Sequence, residues 1–355
     1  MLTRINQSIT YAVLAAGLFG ISAPIAKLLL AQIAPVPLAG LVYLGSGILL
    51  LLARTILKST GKANTKEAPV TKQDIPWLLG AIIAGGVAAP IVLMFGLKCT
   101  PAATASLLLN FEGVATALIA AIAFNEAIDR RVWTAIGLIT LASAVLSIET
   151  TSGWGISVGV LGISAACLLW GIDNNTTRQI SARDPLTIVI IKGIAAGSVS
   201  TLLAVATGSP FPPLHTALLA MGFGSISYGL SIVMFIFALR GLGAARTGAY
   251  FGTAPFIGAA VSFLIFRNIP DIRFLISMPL MVIGAFFLMS EKHEHLHEHN
   301  SICHEHRHVH QDGHHNHLHD GVEGQPNEPH SHLHKHERIY HQHQHTPDDH
   351  HRHSH

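Results

Sequence analysis

One long stretch of this chain occurs twice. The segment from Phe95 to Arg131 aligns with the segment from Phe237 to Arg273 without a gap, at an offset of 142 residues. The identities run through the whole segment; in the first copy they include Phe95, Leu97, Ala102, Ala103, Ala117, Phe124, Asp129 and Arg131. A repeat of this period in apolar sequence is typical of a duplicated membrane domain rather than a solenoid. Chance similarity between two alanine-rich stretches is the alternative, but the charged and aromatic positions match as well as the small ones.

Composition separates the chain into two regions. Half of its 355 residues are hydrophobic and 12% are charged, against about 25% charged in a typical soluble domain. The apolar body runs to about Ser290, and a histidine-rich tail follows. We therefore expect an integral, multi-pass membrane protein. No Walker loop, nucleophile triad or HExxH motif is present in the sequence, so we expect neither an enzyme nor a required cofactor.

The body contains ten apolar stretches that suit membrane spans of about 20 residues. They cover Ser8–Leu30, Val36–Leu57, Ile75–Leu97, Ala102–Phe124, Val132–Ile148, Ile156–Ile180, Leu186–Ala206, Leu214–Leu239, Ala244–Phe266 and Phe274–Met289. The loops between them contain turn-forming sequences such as Gly208–Pro213. We expect an all-α fold whose ten transmembrane helices form two five-helix repeats, followed by a disordered tail. The first repeat is assigned to residues 1–150, the second to 151–291 and the tail to 292–355.

The distribution of lysine and arginine predicts the orientation. With the N-terminus inside, the inside loops hold most of the basic residues, and the outside loops hold only Lys98, Arg267 and Arg273. Basic residues favour the cytoplasmic side, so both termini should be cytoplasmic. An odd number of spans in each half inserts the halves in opposite directions, which is the inverted repeat of many alternating-access transporters. A bacterial inner (plasma) membrane is the expected location, and membrane lipid an expected partner.

Two polar residues interrupt the apolar fourth span. Glu112 lies midway along it, where an ionisable side chain costs about 2.5–3.5 kcal/mol and therefore tends to face a cavity or a partner. A carboxyl group that exchanges a proton would suit proton coupling; a helix-packing hydrogen bond is the structural alternative. Asn110 is about 200° from Glu112 around an ideal helix, so it shares that face only if Gly113 distorts the helix.

The sixth span carries the densest polar cluster of the body, at Asp173, Asn174 and Asn175. Spacings of four place Asp173 with Thr177, and Asn174 with Arg178, on shared helix faces. The alternative is that the span ends early and the cluster lies at the cytoplasmic interface. Two further residues are candidates for the substrate cavity. They are Lys192 in the seventh span, which could instead extend to the membrane surface, and Tyr250 in the ninth, which could instead pack in the core.

Short motifs give the body a family resemblance. Phe19-Gly20 in the first span is echoed by Trp170-Gly171 in the sixth, and Glu112-Gly113 in the fourth by Ala254-Pro255 in the ninth. With Glu126 closing the fourth span, these motifs resemble the EamA-type branch of the drug/metabolite transporter superfamily over about residues 8–290. The resemblance implies ten helices in two repeats, a central cavity and export or exchange of small solutes. The chain departs from the family pattern at Gly113, Ala254 and Asn268, which leaves the substrate open.

The tail is dominated by histidine. Of the 24 histidines, all except His215 follow Lys292. Few apolar residues accompany them, so we expect the segment to be disordered on its own. Neutral imidazole binds zinc, nickel, copper and cobalt, and alternating histidines on a flexible chain can reach one ion. The expected ligands of a divalent metal (Zn, Ni or Co) are His293, His295, His297, His299, His304, His306, His308, His310, His330, His332, His334 and His336. A drifted low-complexity repeat and a pH-sensitive polycation are the alternatives.

Three functions fit these features. The first is proton-coupled export of a small solute, with a cytoplasmic tail that binds divalent metal. The second is efflux of a divalent metal, which the tail alone favours. The third is a membrane anchor for metal storage, and ten spans exceed what an anchor needs. The expected substrate is a small molecule or ion; nucleic acid is not an expected partner, and the sequence leaves a homodimer open.

Overall fold

The body of the chain is a bundle of helices. The computed structural model describes residues 2–60, 68–124, 128–149, 155–181, 183–242, 244–289, 294–299, 303–308, 330–335 and 339–344. Within those ranges the α-helices are α1 Leu2–Gly20, α2 Ser22–Leu29, α3 Pro35–Ser59, α4 Ile75–Ala81, α5 Ala89–Cys99, α6 Ala102–Leu108, α7 Phe111–Phe124, α8 Arg130–Ser147, α9 Val158–Arg178, α10 Pro185–Ala206, α11 Leu214–Gly224, α12 Ser231–Leu242, α13 Ala244–Phe251, α14 Ala254–Phe266 and α15 Ile272–Met289.

Short non-α segments join some of these helices. A 3-10 turn at Lys72–Asp74 precedes α4, and π-helical segments at Ile82–Ala88 and Ser225–Leu230 join α4 to α5 and α11 to α12. Between α8 and α9 the two-residue strands β1, Ile148–Glu149, and β2, Gly155–Ile156, pair antiparallel. The fifth and sixth predicted spans therefore lose Ile148 and Ile156 to this small hairpin.

The helices have the length and apolar surface of a multi-pass membrane protein. Six continuous helical stretches of the described chain are long and apolar enough to cross a membrane: Asn6–Leu29, Pro35–Ser59, Lys72–Cys99, Ala102–Phe124, Pro185–Ala206 and Leu214–Ala238. Large apolar side chains face outward, including Ile83, Ile122 and Leu264, each more than 60% exposed. Such an exposed apolar surface suits contact with lipid. A helical, multi-pass membrane body is thus confirmed, with the short β1–β2 hairpin as its one described strand pair, while the full count of ten spans stays a prediction.

Helix interruptions recur at equivalent positions of the two halves. The fourth span breaks at Leu109-Asn110, between α6 and α7, and the ninth breaks at Gly252-Thr253, between α13 and α14. Gly252 follows Asn110 by 142 residues, the same offset as the sequence repeat. The two π-helical segments also start at nearly equivalent positions, and π-helical segments often occur at functional sites.

The two halves pack together through close helix contacts. α1 of the first half lies against α14 of the second, and a Cβ added to Gly20 would lie 2.5 Å from the backbone oxygen of Ala254. α9 of the second half lies against α7 of the first, where a Cβ on Gly171 would lie 2.9 Å from the carbonyl carbon of Ala115. The glycines of the Phe-Gly and Trp-Gly pairs thus let the first helix of each half approach the broken helix of the other half.

The tail differs from the expectation of disorder. Four of its segments are strands: β3 Glu294–His299 pairs antiparallel with β6 Ile339–Gln344, and β4 Cys303–His308 pairs antiparallel with β5 His330–Lys335. The expectation of disorder rested on the shortage of apolar residues. It overlooked that alternation of histidine with other residues has the period of two that a strand requires. For these four segments the prediction of disorder is not confirmed.

Candidate functional site

A cavity of about 500 Å³ lies where the interrupted helices of the two halves meet. Both interruptions contribute to it, through Asn110 and Gly252. Most of its lining is apolar. The complete set is Phe19, Leu109, Asn110, Glu112, Gly113, Thr116, Ala117, Ala120, Ile139, Asn174, Asn175, Arg178, Gly248, Phe251, Gly252, Ala254, Pro255, Ala285 and Leu288. Its volume suits a small solute.

Among the described residues that line this cavity, Glu112 is the one acidic residue. It lies in the first turn of α7, where the positive end of the helix dipole favours a negative charge. The side-chain amide of Asn174, on α9, donates hydrogen bonds to Glu112 Oε1 at 2.9 Å and to Thr116 Oγ1 at 3.1 Å. Asn175 donates to the backbone oxygens of Thr116, at 3.0 Å, and Gly171, at 2.8 Å. The polar cluster of the sixth span therefore attaches α9 to α7 beside the carboxyl group.

Asn110 faces the same cavity as Glu112, although an ideal helix would separate the two by about 200°. The helix is broken immediately before α7, at Leu109-Asn110, and not at Gly113. The side-chain amide of Asn110 donates to the backbone oxygen of Leu107 at 2.8 Å. The same oxygen also accepts from the backbone N–H of Asn110 at 3.2 Å, so both donors of Asn110 secure the turn where α6 ends. Asn110 thus stabilises the helix break through its side-chain hydrogen bond and also lines the cavity.

Asp173 and Asn174 are neighbours in sequence but belong to different environments. Asn174 lines the cavity together with Arg178, as their spacing predicts. Asp173 is 4% exposed and is not among the lining residues. Its Oδ1 accepts a hydrogen bond from Thr177 Oγ1 at 3.0 Å, which confirms that these two residues share a face. Helix α9 continues through the cluster to Arg178, while the position of the cluster relative to the membrane interface stays a prediction.

Lys192 pairs with Asp173 instead of reaching the cavity or the membrane surface. Its Nζ donates to Asp173 Oδ2, and the two side chains are 18% and 6% exposed. The carboxylate lies against the π-helical segment, because a Cβ on Gly85 would come within 1.9 Å of Asp173 Oδ2. Tyr43 and Trp170 both donate to the backbone oxygen of Gly85, at 2.9 and 3.1 Å. Asp173 and Lys192 therefore form a buried ion pair in a packed polar network.

Aromatic residues that sequence reasoning missed complete the cavity. Tyr250 does not line it; the next residue, Phe251, does. Phe251 lies 5.2 Å from Phe19, centroid to centroid, so the two rings form one wall. Phe19 belongs to the Phe19-Gly20 pair, and that pair is the sequence signal that could have identified it. Arg178, which the spacing placed on the same helix face as Asn174, ends α9 at the cavity.

The tail histidines were predicted as metal ligands, and nine of the twelve fall in the four strands. His293, His310 and His336 lie outside the described residues. The strand register places His304 opposite His334, His306 opposite His332, and His308 opposite His330. In the other ladder, His295 is opposite His343 and His297 opposite His341, while His299 is opposite Ile339.

The cavity has hydrogen-bonding and aromatic groups rather than a set of metal ligands. Within the described part of the helical body, no group of three or more histidine, cysteine, aspartate or glutamate side chains is placed to hold a metal ion. A carboxyl group beside an amide, with aromatic rings and an arginine farther along, can bind a small organic molecule with polar substituents. The carboxyl group can also accept and release a proton.

Comparison with known proteins gives consistent results. The profile of the EamA-like transporter family matches residues 6–148 and again residues 157–290. An uncharacterized transporter of Methanothermobacter thermautotrophicus is 29% identical over 282 residues, which cover 76% of this chain and 82% of that protein. One solved crystal structure superposes with a TM-score of 0.56 at 17% identity, covering 80% of this chain and 95% of the other. At that identity, the structural match concerns the fold alone.

Proposed function

The chain belongs to the EamA-like transporter family, and on that premise we propose that it exports a small organic solute across a bacterial inner membrane in exchange for protons. Membership of a transporter family points to transport rather than to an enzymatic reaction. Family membership leaves open the direction of transport, the coupling ion and the residue that carries the proton. Glu112 is that residue, and the solute occupies the cavity beside it.

The observation that carries the proposal is the position of the cavity at two facing helix interruptions. Asn110 marks the break in the first half and Gly252 the equivalent break in the second, and both line the cavity. Transporters with inverted repeats bind substrate near the middle of the membrane, between discontinuous helices of the two repeats. A cavity shared by both halves also changes shape when one half rocks against the other, as alternating access requires.

Glu112 is suited to the coupling role by its neighbours. The side-chain amide of Asn174 donates to Glu112 Oε1 at 2.9 Å. Oε1 can accept this hydrogen bond when the carboxyl group is ionised and also when Oε2 carries a proton. Solute and proton would compete for one site, since the carboxyl group faces the solute cavity. Export then follows if the solute displaces the proton on the cytoplasmic side and the proton displaces the solute on the other side.

Access to the cavity supports a cytoplasm-facing state. Ala120, Arg178 and Leu288 line it near the ends of α7, α9 and α15, and these helices end on the side of the bundle where α1 begins. At the opposite end, Lys27 Nζ donates to the backbone oxygens of Leu97 and Lys98, the latter at 2.9 Å. A cation at the C-terminal end of a helix is favourable, so Lys27 would hold that end of the first and third spans together.

Transport in proteoliposomes tests the proposal. Vesicles containing the purified protein and a pH-sensitive dye are exposed to a panel of small organic solutes. We expect at least one solute to drive proton movement with the native chain and none to do so with Glu112→Gln. Solute-driven proton movement of equal size with both proteins would exclude Glu112 as the coupling residue.

Efflux of a divalent metal is the second candidate function, and the tail register favours it. The backbone register sets several tail histidines opposite one another, and histidine is a common ligand of zinc, nickel and cobalt. The composition of the cavity argues the other way, because its only described carboxylate is Glu112. We therefore assign metal binding to the tail and solute binding to the cavity. Storage of metal on a membrane anchor is the third candidate, and it leaves the shared cavity unexplained.

A further inference from the structure

A second cavity, of about 570 Å³, lies apart from the first at the end of the bundle where α3 ends and α10 begins. Elements from both halves meet there, since α3 and α4 belong to the first half and α10 to the second. The lining residues that bear on its ligand are Arg54, Lys72, Ile75, Leu78, Asp184 and Thr187. None of them lines the solute cavity, and the proposed function does not use them.

The acidic groups near this cavity already have partners. Asp184 forms an ion pair with Arg54 at 2.9 Å and accepts hydrogen bonds from Leu186 N at 3.0 Å and Thr187 Oγ1 at 2.5 Å. The neighbouring Asp74 is bound by Arg183 at 2.9 Å. It also accepts from the backbone and the hydroxyl of Thr71. The described lining thus combines two basic side chains with one carboxylate, a net charge of +1.

The basic groups retain capacity for an anion. Arg54 donates to Asp184 and Thr187, and these bonds use two of its five N–H donors. Lys72 is exposed at the rim, and Lys58 is exposed one turn beyond Arg54 on α3. The sequence between Lys58 and Lys72 adds Lys62 and Lys66 against the single acid Glu67. Basic clusters immediately beside a membrane helix attract anionic lipid.

The other wall of the cavity is apolar and leads to the outer surface of the bundle. Leu78 is 7% exposed at the cavity and Ile75 is 46% exposed beside it. Along the same helix, Leu79 and Ile83 are 50% and 64% exposed. A ligand that fills this cavity would therefore meet positive charge at one side and lipid-facing hydrocarbon at the other.

We propose that the second cavity binds one anionic membrane phospholipid. Its phosphate lies between Arg54 and Lys72, and its glycerol and first acyl carbons lie against Ile75 and Leu78. Arginine suits phosphate because its planar fork donates two parallel hydrogen bonds. The bound lipid contacts α3, α4 and α10 together, so it stabilises the junction of the two halves at this end of the bundle.

Native mass spectrometry of the purified full-length protein tests the proposal, with phosphatidylglycerol and phosphatidylcholine titrated separately. We expect one phosphatidylglycerol molecule to bind more tightly than phosphatidylcholine. Lys72→Gln should weaken that binding about fivefold, because one basic residue contributes about that factor near an anionic lipid. Lys72→Arg should retain it. Lys98→Gln is the matched control, since Lys98 is an exposed lysine at the opposite end of the bundle.

A third arm separates the lipid from a free phosphate group. Inorganic phosphate at millimolar concentration should not displace the bound phosphatidylglycerol, because phosphate lacks the hydrocarbon that contacts Ile75 and Leu78. Displacement by phosphate would show that the cavity is a site for free phosphate and would overturn the lipid assignment. Equal binding of the two lipids, or equal weakening by Lys72→Gln and Lys98→Gln, would overturn it as well.

Discussion

Asn174, in the second half of the chain, donates a 2.9 Å hydrogen bond to Glu112, in the first half. The two residues are 62 positions apart and lie on helices that are packed directly together. This bond ties the proposed proton site to the boundary between the two halves, where movement during alternating access would be largest. A change at either residue should therefore affect transport more than folding.

Replacing Glu112 by Gln should leave a folded protein that no longer couples solute movement to protons. The Gln side-chain oxygen still accepts the bond from Asn174, but an amide does not exchange a proton in this pH range. Solute flux into proteoliposomes, measured between pH 6 and pH 8, should lose its dependence on a pH gradient. Asp129→Asn, at the N-cap of α8 outside the cavity, is the control. An unchanged pH profile in Glu112→Gln would return Glu112 to a packing role.

The ion pair of Asp173 and Lys192 predicts a double-mutant result. Lys192→Met leaves a buried carboxylate without its cation, and breaking such a pair costs about 3–5 kcal/mol. Asp173→Asn combined with Lys192→Met removes both charges and should be clearly less destabilising than Lys192→Met alone. Thermal unfolding in detergent, followed by size-exclusion chromatography, measures both. A double variant as unstable as the sum of the single variants would show that the two side chains do not act as a pair.

Close packing of α1 against α14 predicts a difference between two glycines of the same helix. Gly20→Val should destabilise the protein by roughly 1–3 kcal/mol, because its Cβ would collide with the backbone oxygen of Ala254. Gly17→Val is the matched control, since a Cβ at Gly17 has no described heavy atom within 4 Å. Comparable melting temperatures for the two variants would contradict the contact between the halves.

Removal of the chain after Lys292 should leave an inserted carrier that has lost nearly all of its capacity for metal. Backbone hydrogen bonds of membrane helices are satisfied within the helices, so insertion does not need the tail. Equilibrium dialysis with zinc, nickel and cobalt measures the capacity. Metal transport by the truncated carrier in vesicles would favour metal efflux over organic-solute export, and degradation of the truncated protein would show that the tail is structurally required.

The strand register of the tail predicts that its metal affinity depends on the order of its residues as well as on its composition. Exchanging each histidine of β4 with the residue after it keeps the composition but moves His304, His306 and His308 out of opposition with β5. We expect weaker zinc binding than in the native chain, measured by competition with a chromogenic chelator. An unordered tail would bind equally well in both versions, and that outcome would contradict a role for the register.

The sequence identifies those cavity residues that belong to types rarely found within apolar spans. Glu112 and Asn174 are conspicuous because polar groups within apolar spans are costly, and both line the cavity. Phe19 and Phe251 were missed because aromatic side chains occur in a packed core as often as in a cavity wall. No local signal distinguishes the two cases.

Other features depend on geometry that the sequence pattern does not contain. The helical wheel placed Asn110 away from Glu112 because it assumed a continuous helix, and the Leu-Asn-Phe sequence at the break has neither proline nor glycine. The partner of Lys192 lies on another helix, and their contact requires the opening at Gly85. The tail was judged by its lack of apolar residues, whereas its two-residue period predicts strands.

The equivalent breaks of the fourth and ninth spans differ in one carboxyl group, which would set the transport ratio under the proposed coupling. Glu112 stands after the first break, and its counterpart 142 residues later is Ala254. Both line the cavity, so its described lining offers the solute one carboxyl group, that of Glu112. If Glu112 carries the coupled proton as proposed, each turnover exchanges one proton, and the net charge moved in each cycle is set by the charge of the solute. A neutral solute would make the exchange electrogenic, and a monovalent cation would make it electrically silent.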